Sequence, residues 1–413
     1  MKSLWSRQYS LSMGCFGNSR KYPLKKRDIS CNIMLKKGMC AGMKRQDKRV
    51  DLGSRQRMLR YISKEKEVSR SEIAKNLSLS MPTVLAVTKE LLSENIIEEV
   101  GVFESTGGRK AKKLTLAGDR GYSAGIDITV NHISMVVVNL RGEIVEKVRL
   151  RMRFQNSLEY FEQLVKKLDD FLEDSCVKDR DKILGVGISF PGIIDREKEM
   201  LIRSHALGVE GVSLKNVSQM FRWPVLYEND ANSAALAELR NTNNNAVYLS
   251  LSNTVGGAIF LNGRIYEGNA YHSAEFGHML LKINGRKCYC GRIGCVDAYC
   301  SAKVLSDMTE GSLERFFQGL EEKGAAFVKL WDEYLEDLAL TVNNLRIIFD
   351  CDVILGGYVG GFMEKYMGDL RKRVLKYCMF DQDVTFLRDC RIKYEASAVG
   401  TAMKFIDQYI ESV

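Results

Sequence analysis

The 413-residue sequence contains no apolar run that approaches the roughly 18 residues needed to cross a membrane as a helix. Its basic N-terminus is not followed by an apolar segment of the kind that secretory signals carry. Short-period repeats and low-complexity tracts are also absent from the sequence. With 45% hydrophobic and 27% charged residues, the composition is that of an ordinary globular protein, and the length indicates two to three domains. These features argue against a membrane partner and predict a cytoplasmic protein.

The eleven cysteines are an odd number, and several of them crowd into one short segment. Such crowding is typical of a metal site in a reducing compartment, whereas a disulfide framework uses paired cysteines spread along the chain. His278, Cys288, Cys290 and Cys295 place one imidazole and three thiolates within 18 residues. These are ligands that tetrahedral zinc prefers, and four of them leave no open position for catalysis. We therefore expect a structural zinc ion; a disulfide or a chance cluster is the alternative.

Positive charge is concentrated at one end of the chain. Residues 1–120 contain 26 Lys and Arg against 12 Asp and Glu, whereas the remainder contains 35 basic and 40 acidic residues. This asymmetry indicates a module that faces nucleic acid, attached to a mildly acidic body. A solvated basic tail is the alternative, because 13 basic and 2 acidic residues lie within residues 1–50. We predict that 1–50 is a disordered basic arm, or upstream sequence included by a mistaken start before Met43.

Residues 51–120 have the pattern of a winged helix-turn-helix domain. Three helical segments are followed by two β-type runs, at 96–100 and 112–116, which a glycine-containing loop joins. The third helix, 80–89, is narrow enough to enter a DNA major groove, while the basic loop suits phosphates or a minor groove. A small three-helix protein-interaction domain is the alternative. The residues predicted to contact DNA are Ser80, Met81, Thr83, Lys89, Arg109 and Lys110.

Strands and helices alternate from residue 121 to the C-terminus. Strand-like runs occur at 124–130, 133–139, 143–150, 183–190, 246–251 and 353–355, with helical segments at 158–172 and 313–348. This alternation predicts a layered α/β domain with two lobes. Lobe 1 is predicted to comprise about 121–240 with a C-terminal helix at about 396–413, and lobe 2 about 241–395.

A second group of polar residues follows predicted strands. Glu228, Asn229 and Asp230 come after a β-type run and open a helix, while Glu275 precedes the cysteine segment and Asp297 follows it. Carboxylates and amides at strand ends suit the recognition of vicinal hydroxyl groups, as in a sugar. An aspartate in such a site can also act as a general base toward a hydroxyl. Helix caps on a solvated polar face are the alternative.

The chain from residue 54 to the C-terminus, 360 residues, resembles the ROK family of repressors, open reading frames and kinases. The matching motifs are Ser105-Thr106-Gly107-Gly108-Arg109, Gly125-Ile126-Asp127, Phe190-Pro191-Gly192-Ile193-Ile194-Asp195, residues 228–232 and 275–278, and Cys288-x-Cys290-Gly291-x-x-Gly294-Cys295-x-Asp297. The resemblance implies a two-lobed actin-like, ribonuclease H-like α/β domain of the ATPase type behind the winged helix.

The resemblance also implies where a sugar would bind. The implied effector-binding residues are Asn229, Asp230, Glu275, His278, Asp297, Gly192 and His205. Among them, Asp230 stands at the position of the kinase base. The family usually has glutamate at the position of Asp297, and Ala206 stands where an asparagine is usual, which removes one expected sugar contact.

Both phosphate-binding motifs of the family's kinases are altered in this sequence. The first, Asp-x-Gly-Gly-Thr, reads Asp127-Ile128-Thr129-Val130-Asn131, and the second, Gly-Thr-Gly with further glycines, reads Ser252-Asn253-Thr254-Val255-Gly256-Gly257. Small residues let backbone N–H groups approach phosphates, and β-branched side chains fill that space. The sequence therefore predicts binding without phosphoryl transfer.

We therefore predict a sugar-responsive transcriptional regulator, most similar to the xylose-type repressor branch of the family. A sugar kinase with an added DNA-binding module is the enzymatic alternative, and a DNA-binding protein with a vestigial, empty cleft is the third. The predicted partners are operator DNA, a sugar effector and a second copy of the chain, because regulators that read palindromes need two-fold symmetry.

Overall fold

The structure is a computed structural model that describes residues 52–103, 111–240, 242 and 244–413. The arm predicted at 1–50 lies outside the described residues, as do the predicted DNA contacts Arg109 and Lys110. All elements below belong to one compact unit, residues 50–413. No helix within the described residues is both long and apolar enough to span a membrane.

The N-terminal elements are three helices and a two-stranded antiparallel sheet. They are α1 (Leu52–Glu65), α2 (Arg70–Leu77), α3 (Met81–Ser93), β1 (Ile97–Val102) and β2 (Lys112–Leu116). Ser69 and Glu72 form the capping box that opens α2, in which each side chain satisfies a free backbone N–H group of the other residue. Ser78 then adopts a left-handed conformation with φ 53°, and Ser80 caps α3. This is the element order expected of a winged helix-turn-helix.

A five-stranded sheet with the order β10-β6-β3-β4-β5 follows, next to a three-stranded sheet with the order β7-β8-β9. The elements are β3 (Tyr122–Ile128), β4 (His132–Asn139), β5 (Ile144–Arg151), α4 (Leu158–Asp174), β6 (Ile183–Phe190), β7 (Ile193–Asp195), β8 (Met200–Ser204), β9 (Val209–Ser213), α5 (Lys215–Ser218), β10 (Val225–Asn229) and α6 (Asp230–Leu239). Strand β6 runs parallel to both β3 and β10, so the ends of these strands meet at one edge of the sheet.

A second five-stranded sheet has the order β13-β12-β11-β14-β15. Its strands and the remaining helices are β11 (Ala246–Leu251), β12 (Val255–Leu261), β13 (Arg264–Ile265), α7 (Asp297–Cys300), α8 (Ala302–Ser306), α9 (Leu313–Glu321), α10 (Ala325–Phe349), β14 (Asp352–Gly356), α11 (Gly357–Gly360), α12 (Met367–Tyr377), β15 (Leu387–Asp389) and α13 (Ala396–Ser412). The result is the mixed α/β fold that the sequence predicted.

The C-terminal helix α13 lies on one face of the first sheet, and α4 covers the other. Side chains of β4 alternate accordingly: Met135 and Val137 belong to the cluster with α4, while Val136 and Val138 join the cluster that contains α13 and the three N-terminal helices. The hydrophobic core of the N-terminal elements is therefore continuous with that of the first sheet, through α13.

Glycines in the first sheet allow α13 to approach it closely. A Cβ atom on Gly125 would come within 1.9 Å of the carbonyl oxygen of Ala398, and one on Gly187 within 2.5 Å of Thr401 backbone atoms. Both distances are too short for any side chain, so the position of α13 depends on glycine in β3 and in β6.

Candidate functional site

A cavity of about 390 Å³ lies where the ends of β6 and β10 face the segment that contains residues 267–292. Its volume falls within the roughly 300–1,000 Å³ that is typical of small-molecule sites. Six of the seven residues that the sequence predicted as effector contacts line this cavity: Gly192, His205, Asn229, Asp230, Glu275 and His278. Residues that are distant in sequence thus surround one space.

Asn229 is held in place by its role as the N-cap of α6. Its side-chain oxygen accepts a hydrogen bond of 2.9 Å from the N–H group of Asn232. Its amide nitrogen donates to the carbonyl oxygen of Gly192 at 3.0 Å and to the carboxylate of Asp230 at 3.1 Å. The cap thus fixes the orientation of both Asn229 and the neighbouring carboxylate.

Asp230 lies in the first turn of α6 beside other acidic groups. Burial, together with the nearby carboxylates of Asp127 and Glu275, raises its pKa to about 7 against the opposing effect of hydrogen bonds from backbone N–H groups. Burial also raises the pKa of Asp127 to about 6, although Ser189 donates a hydrogen bond of 2.7 Å to its carboxylate. Asp230 therefore gains or loses its proton near neutral pH, and ligand binding is able to change its charge.

A network of ion pairs borders the cavity, and no sequence pattern indicated it. Arg196 lines the cavity and contacts the carboxylates of both Glu228, at 2.8 Å, and Glu267. The buried Glu228 also pairs with Lys404 of α13. Burial opposes ionisation of Glu228, but the charges of Lys404 and Arg196 outweigh it and lower its pKa. Glu228 precedes Asn229 in the sequence, whereas its partners lie 32 and 176 residues away, so no local signal connects them.

The four predicted metal ligands lie together. The ligand atoms of His278, Cys288, Cys290 and Cys295 are all within 4.8 Å of one another. The sulfur atoms of Cys290 and Cys295 are 3.8 Å apart, and that of Cys288 is 4.0 Å from His278 Nδ1. Zn–S bonds of 2.3 Å in tetrahedral geometry separate two sulfur ligands by about 3.8 Å, so the donor set and its spacing fit zinc.

A glycine allows the chain to fold around this cluster. Gly294 has φ 84°, and a Cβ atom there would come within 1.9 Å of the carbonyl oxygen of Lys282. Only glycine satisfies both conditions. The cluster therefore depends on a tight backbone turn as well as on its four ligands.

His278 connects this cluster to the cavity. Its Nδ1 atom faces Cys288, while its Nε2 atom lies 3.2 Å from the hydroxyl oxygen of Tyr289. The ring of Tyr289 is 5.7 Å from that of His205, and all three rings line the cavity. Tyr289 was not predicted as a site residue, although it stands between two of the cysteines. One wall of the cavity is thus aromatic and adjoins the candidate metal centre.

Asp297, the seventh predicted effector contact, is not among the residues that line the cavity. Its side chain is buried, and Oδ2 accepts a hydrogen bond of 2.7 Å from the N–H group of Val255 at the start of β12. Asp297 thus joins the end of the cysteine segment to the strand turn that borders the cavity. The contact positions this turn, and the direct contact of Asp297 with a sugar stays a prediction.

The residues of the two motifs that the sequence predicts to be altered phosphate-binding loops border a much smaller cavity of about 70 Å³. Thr129 and Val130 line it from one side, and Ser252 and Asn253 line it from the other. The Thr129 hydroxyl donates to the carbonyl oxygen of His132 at 2.9 Å, so the turn between β3 and β4 hydrogen-bonds to itself. This volume is well below the roughly 300 Å³ at the lower end of ligand sites.

Among the residues predicted to contact DNA, Ser80, Met81 and Thr83 lie at the N-terminal end of α3, and Lys89 lies in its second half. Ser80 and Lys89 are exposed, Met81 is 41% exposed, and Thr83 is half-buried. The Ser80 oxygen accepts a hydrogen bond of 3.3 Å from the Thr83 N–H group and lies 2.8 Å from the Thr83 hydroxyl. Ser80 is therefore a helix cap as well as an exposed hydroxyl group.

The sequence profile of the ROK family matches residues 123–408, about 69% of the chain. The chain belongs to the ROK family. This match includes the cavity, the cysteine cluster and α13, and it starts after the three N-terminal helices and their small sheet. The family assignment therefore covers the part of the molecule that contains the candidate site.

Several curated relatives within the family are named as repressors. The xylose repressor of Caldicellulosiruptor bescii is 29% identical over 343 residues, which cover 76% of this chain and 85% of the repressor. The xylose repressor of Bacillus spizizenii is 30% identical over 253 residues, which are 60% of this chain and 65% of that repressor, less than two thirds of its length. The N-acetylglucosamine repressor of Escherichia coli is 23% identical over 266 residues, 63% of this chain and 65% of the repressor.

Solved structures share this fold at low sequence identity. A ROK family transcriptional regulator, a homologue of the Escherichia coli MLC protein, has a TM-score of 0.68 and 19% identity, with 87% of this chain and 97% of that chain covered. A ROK family glucokinase from Streptomyces griseus, in complex with glucose and AMPPNP, has a TM-score of 0.59 and 22% identity over 69% of this chain and 99% of the glucokinase. Regulators and kinases of the family thus have the same fold as this protein.

Proposed function

We propose that this protein is a sugar-responsive DNA-binding transcriptional regulator that represses carbohydrate-utilisation genes. The observation that carries the proposal is the presence of two sites in one compact unit. A cavity lined by Asn229, Asp230 and Glu275 suits hydroxyl groups, and a capped helix with an exposed N-terminal end suits a DNA groove. The repressor names of several relatives support the same reading.

The cavity chemistry supports a neutral sugar as the effector. Asp230 accepts hydrogen bonds once ionised, and the exposed carboxylate of Glu275 has the same capacity on the other side of the cavity. His205 and Tyr289 offer ring faces on which the apolar side of a sugar can lie. We expect the sugar to contact these residues, with Asp297 acting through the backbone of Val255.

We further propose that the protein binds its sugar without phosphorylating it. Positioning and neutralising the transferred phosphoryl group supply most of the catalysis in kinases. The space beside Thr129, Val130, Ser252 and Asn253 is about 70 Å³. This small volume supports the proposal that a nucleoside triphosphate does not bind there. The side chain of Tyr358 also lines this space.

Zinc at the cysteine cluster is proposed to be structural. His278, Cys288, Cys290 and Cys295 would hold it, and the ion would supply the cross-link that orders this loop. His278 places its second ring nitrogen beside Tyr289 in the cavity, so order in the cluster is required for order in the effector site.

The proposal is tested by measuring how sugars change DNA affinity. An operator is first selected from a pool of random DNA duplexes with the full-length protein. Its dissociation constant is then measured by fluorescence anisotropy, with and without D-xylose, D-glucose and N-acetyl-D-glucosamine, whose binding is measured separately by calorimetry. We expect one sugar of the panel to change operator affinity by roughly 5–150-fold, the usual range of allosteric coupling. Failure to select any DNA sequence, or unchanged affinity under a sugar that binds, would contradict the proposal.

The kinase alternative is tested separately. A coupled assay for ADP release, with magnesium and the same sugars, is expected to show no turnover above a protein-free control. Turnover near one per second that is lost in Asp230→Asn would instead identify a sugar kinase with a DNA-binding module.

A further inference from the structure

We infer that the C-terminal helix α13 transmits the occupancy of the cavity to α3, the helix proposed to read DNA. The inference rests on the proposed function and specifies its regulatory route. Helix α13 contacts cavity residues and also contacts the three-helix module, nearer its C-terminus. With 17 residues at 1.5 Å per residue it spans about 26 Å, so a single element joins the two regions.

The cavity end of the route is a buried ion pair. Lys404 of α13 pairs with Glu228, and Glu228 also accepts a hydrogen bond of 2.8 Å from the cavity-lining Arg196. The Glu228 side chain is 6% exposed, so removal of one partner leaves a poorly compensated buried charge. In addition, Ser397 of α13 donates a hydrogen bond of 3.0 Å to the carbonyl oxygen of Asp230. A ligand that binds Arg196 or Asp230 therefore changes contacts that hold α13.

The other end of α13 is tied to α1 by polar contacts. Glu411 forms an ion pair with Arg60 of α1. Arg240, which follows α6, donates a hydrogen bond of 2.6 Å to Asp407 of α13 and one of 3.2 Å to Ser63 of α1. Because α6 begins at Asp230 and ends next to Arg240, it provides a second connection from the cavity to the same contacts.

Arg55 of α1 completes the route to α3. Its Nε atom donates a hydrogen bond of 2.6 Å to the carbonyl oxygen of Val413, directly after α13. The same guanidinium pairs with Glu90 at 2.5 Å and with Glu94 at 2.6 Å, at the C-terminal end of α3. The Arg55 side chain is 9% exposed, so its position depends on all three partners. One side chain thus joins the end of α13 to the end of the proposed DNA-reading helix.

Apolar packing couples the position of α1 to the position of α13. Ala402, Ile406 and Ile410 of α13 lie in the same buried cluster as Met58 and Ile62 of α1. Protein interiors are close-packed and have low compressibility, so a displacement of α13 is passed on to α1 and is not absorbed by free volume. The physical requirement is that sugar binds unequally to two arrangements of these contacts.

The test separates the coupling between sugar binding and operator binding from the affinity for each ligand alone. Lys404→Met removes the Glu228 partner without changing a cavity-lining residue, and Lys404→Arg keeps the charge. Lys365→Met is the control, because Lys365 forms an ion pair with Glu321 of α9, and neither residue belongs to α13 or lines the cavity. For each variant we measure the sugar affinity by calorimetry and the operator affinity with and without saturating sugar, using the panel member that binds the wild-type protein most tightly. The readout is the ratio of the two operator affinities.

We expect Lys404→Met to lower this ratio by at least about fivefold from the wild-type range of roughly 5–150-fold, while Lys404→Arg and Lys365→Met retain it. A merely structural role of Lys404 would change stability or shift both operator affinities together, and the ratio would stay at the wild-type value. That result would overturn the inference and leave the proposed function intact.

A second variant, at the opposite end of α13, tests the same route in case Lys404→Met does not fold. Glu411→Gln changes a half-exposed residue that lies outside the cavity, with Glu321→Gln as its matched control. We expect normal sugar affinity with a reduced ratio in Glu411→Gln alone. If Lys404→Met and Glu411→Gln both keep the wild-type ratio of operator affinities, the route through α13 is refuted. A wild-type protein in which no bound sugar changes operator affinity would refute the proposed function itself.

Discussion

Gly400→Ala is expected to destabilise the protein although alanine is the better helix residue. Gly400 lies in α13 where this helix crosses α6, and a Cβ atom there would come within 1.7 Å of the carbonyl oxygen of Ser233. Real Cβ atoms stay at least 3.0 Å from other heavy atoms, so the two backbones must separate by about 1.3 Å. Neither contacting atom belongs to a flexible side chain, so no rotamer change relieves the contact.

The magnitude follows from two opposing effects. Alanine is favoured over glycine in a helix interior by about 1 kcal/mol. Overpacking of a close-packed interior costs typically about 1–3 kcal/mol, and a contact between two backbones belongs at the upper end of this range. The free energy of unfolding should therefore fall by about 2 kcal/mol. Because Ser233 lies in α6, which begins at Asp230, sugar affinity should weaken as well.

Gly368→Ala is the matched control. Gly368 is also helical, in α12, and a Cβ atom there meets no heavy atom within 4 Å. The same chemical change should raise the free energy of unfolding by about 0.5–1 kcal/mol. The assay is urea unfolding monitored by circular dichroism. The urea concentrations at the unfolding midpoints are compared between proteins whose free energy of unfolding has the same dependence on urea concentration. A Gly400→Ala protein that unfolds at the same urea concentration as Gly368→Ala, or at a higher one, would refute the close approach of α13 to α6.

Three further outcomes are expected. Metal analysis of protein purified without chelator should find about one zinc ion per chain, and Cys290→Ser should lose it together with sugar affinity; zinc-free wild-type protein would contradict the proposed centre. Sugar affinity should fall about tenfold from pH 8 to pH 6, because protonation of Asp230 around its pKa of about 7 removes a hydrogen-bond acceptor, and Asp230→Asn should abolish this dependence in calorimetry. The logarithm of the operator association constant should fall with the logarithm of the salt concentration at a slope of about −4 to −7, which corresponds to roughly four to eight phosphate contacts. Thr83→Ala should relax the sequence preference, and Lys89→Ala should mainly reduce affinity. An operator affinity that does not change with salt would argue against DNA binding.

Elements with strong local patterns were predicted closely. Strand β6 (Ile183–Phe190), β2 (Lys112–Leu116) and β11 (Ala246–Leu251) have the bounds that their runs of apolar and β-branched residues predicted. The capping box of Ser69 and Glu72 is likewise a local feature, because both residues act within one helical turn. Such signals are local, so the sequence alone contains them.

The grouping of the four candidate metal ligands and of the polar residues around the cavity was also accessible from the sequence. The three cysteines are neighbours along the chain, and the resemblance to a known family supplied the rest. The role of Asp297 was less accessible, since its position directly after the cysteine segment suggests the cavity equally well. Only the fold shows that its carboxylate is used by the N–H group of Val255.

The sequence by itself indicated the strands and helices with strong local patterns, the four side chains of the candidate metal centre and the polar side chains of the cavity, because each depends on residues that are close in the chain or on recognisable motifs. Tertiary structure alone decided the connection between cavity and three-helix module. Glu228 and Lys404 are 176 residues apart, and Arg55 and Val413 are 358 residues apart. Pairs at such separations have no periodicity or spacing that marks them, and they meet only because α13 folds back across the first sheet onto α1.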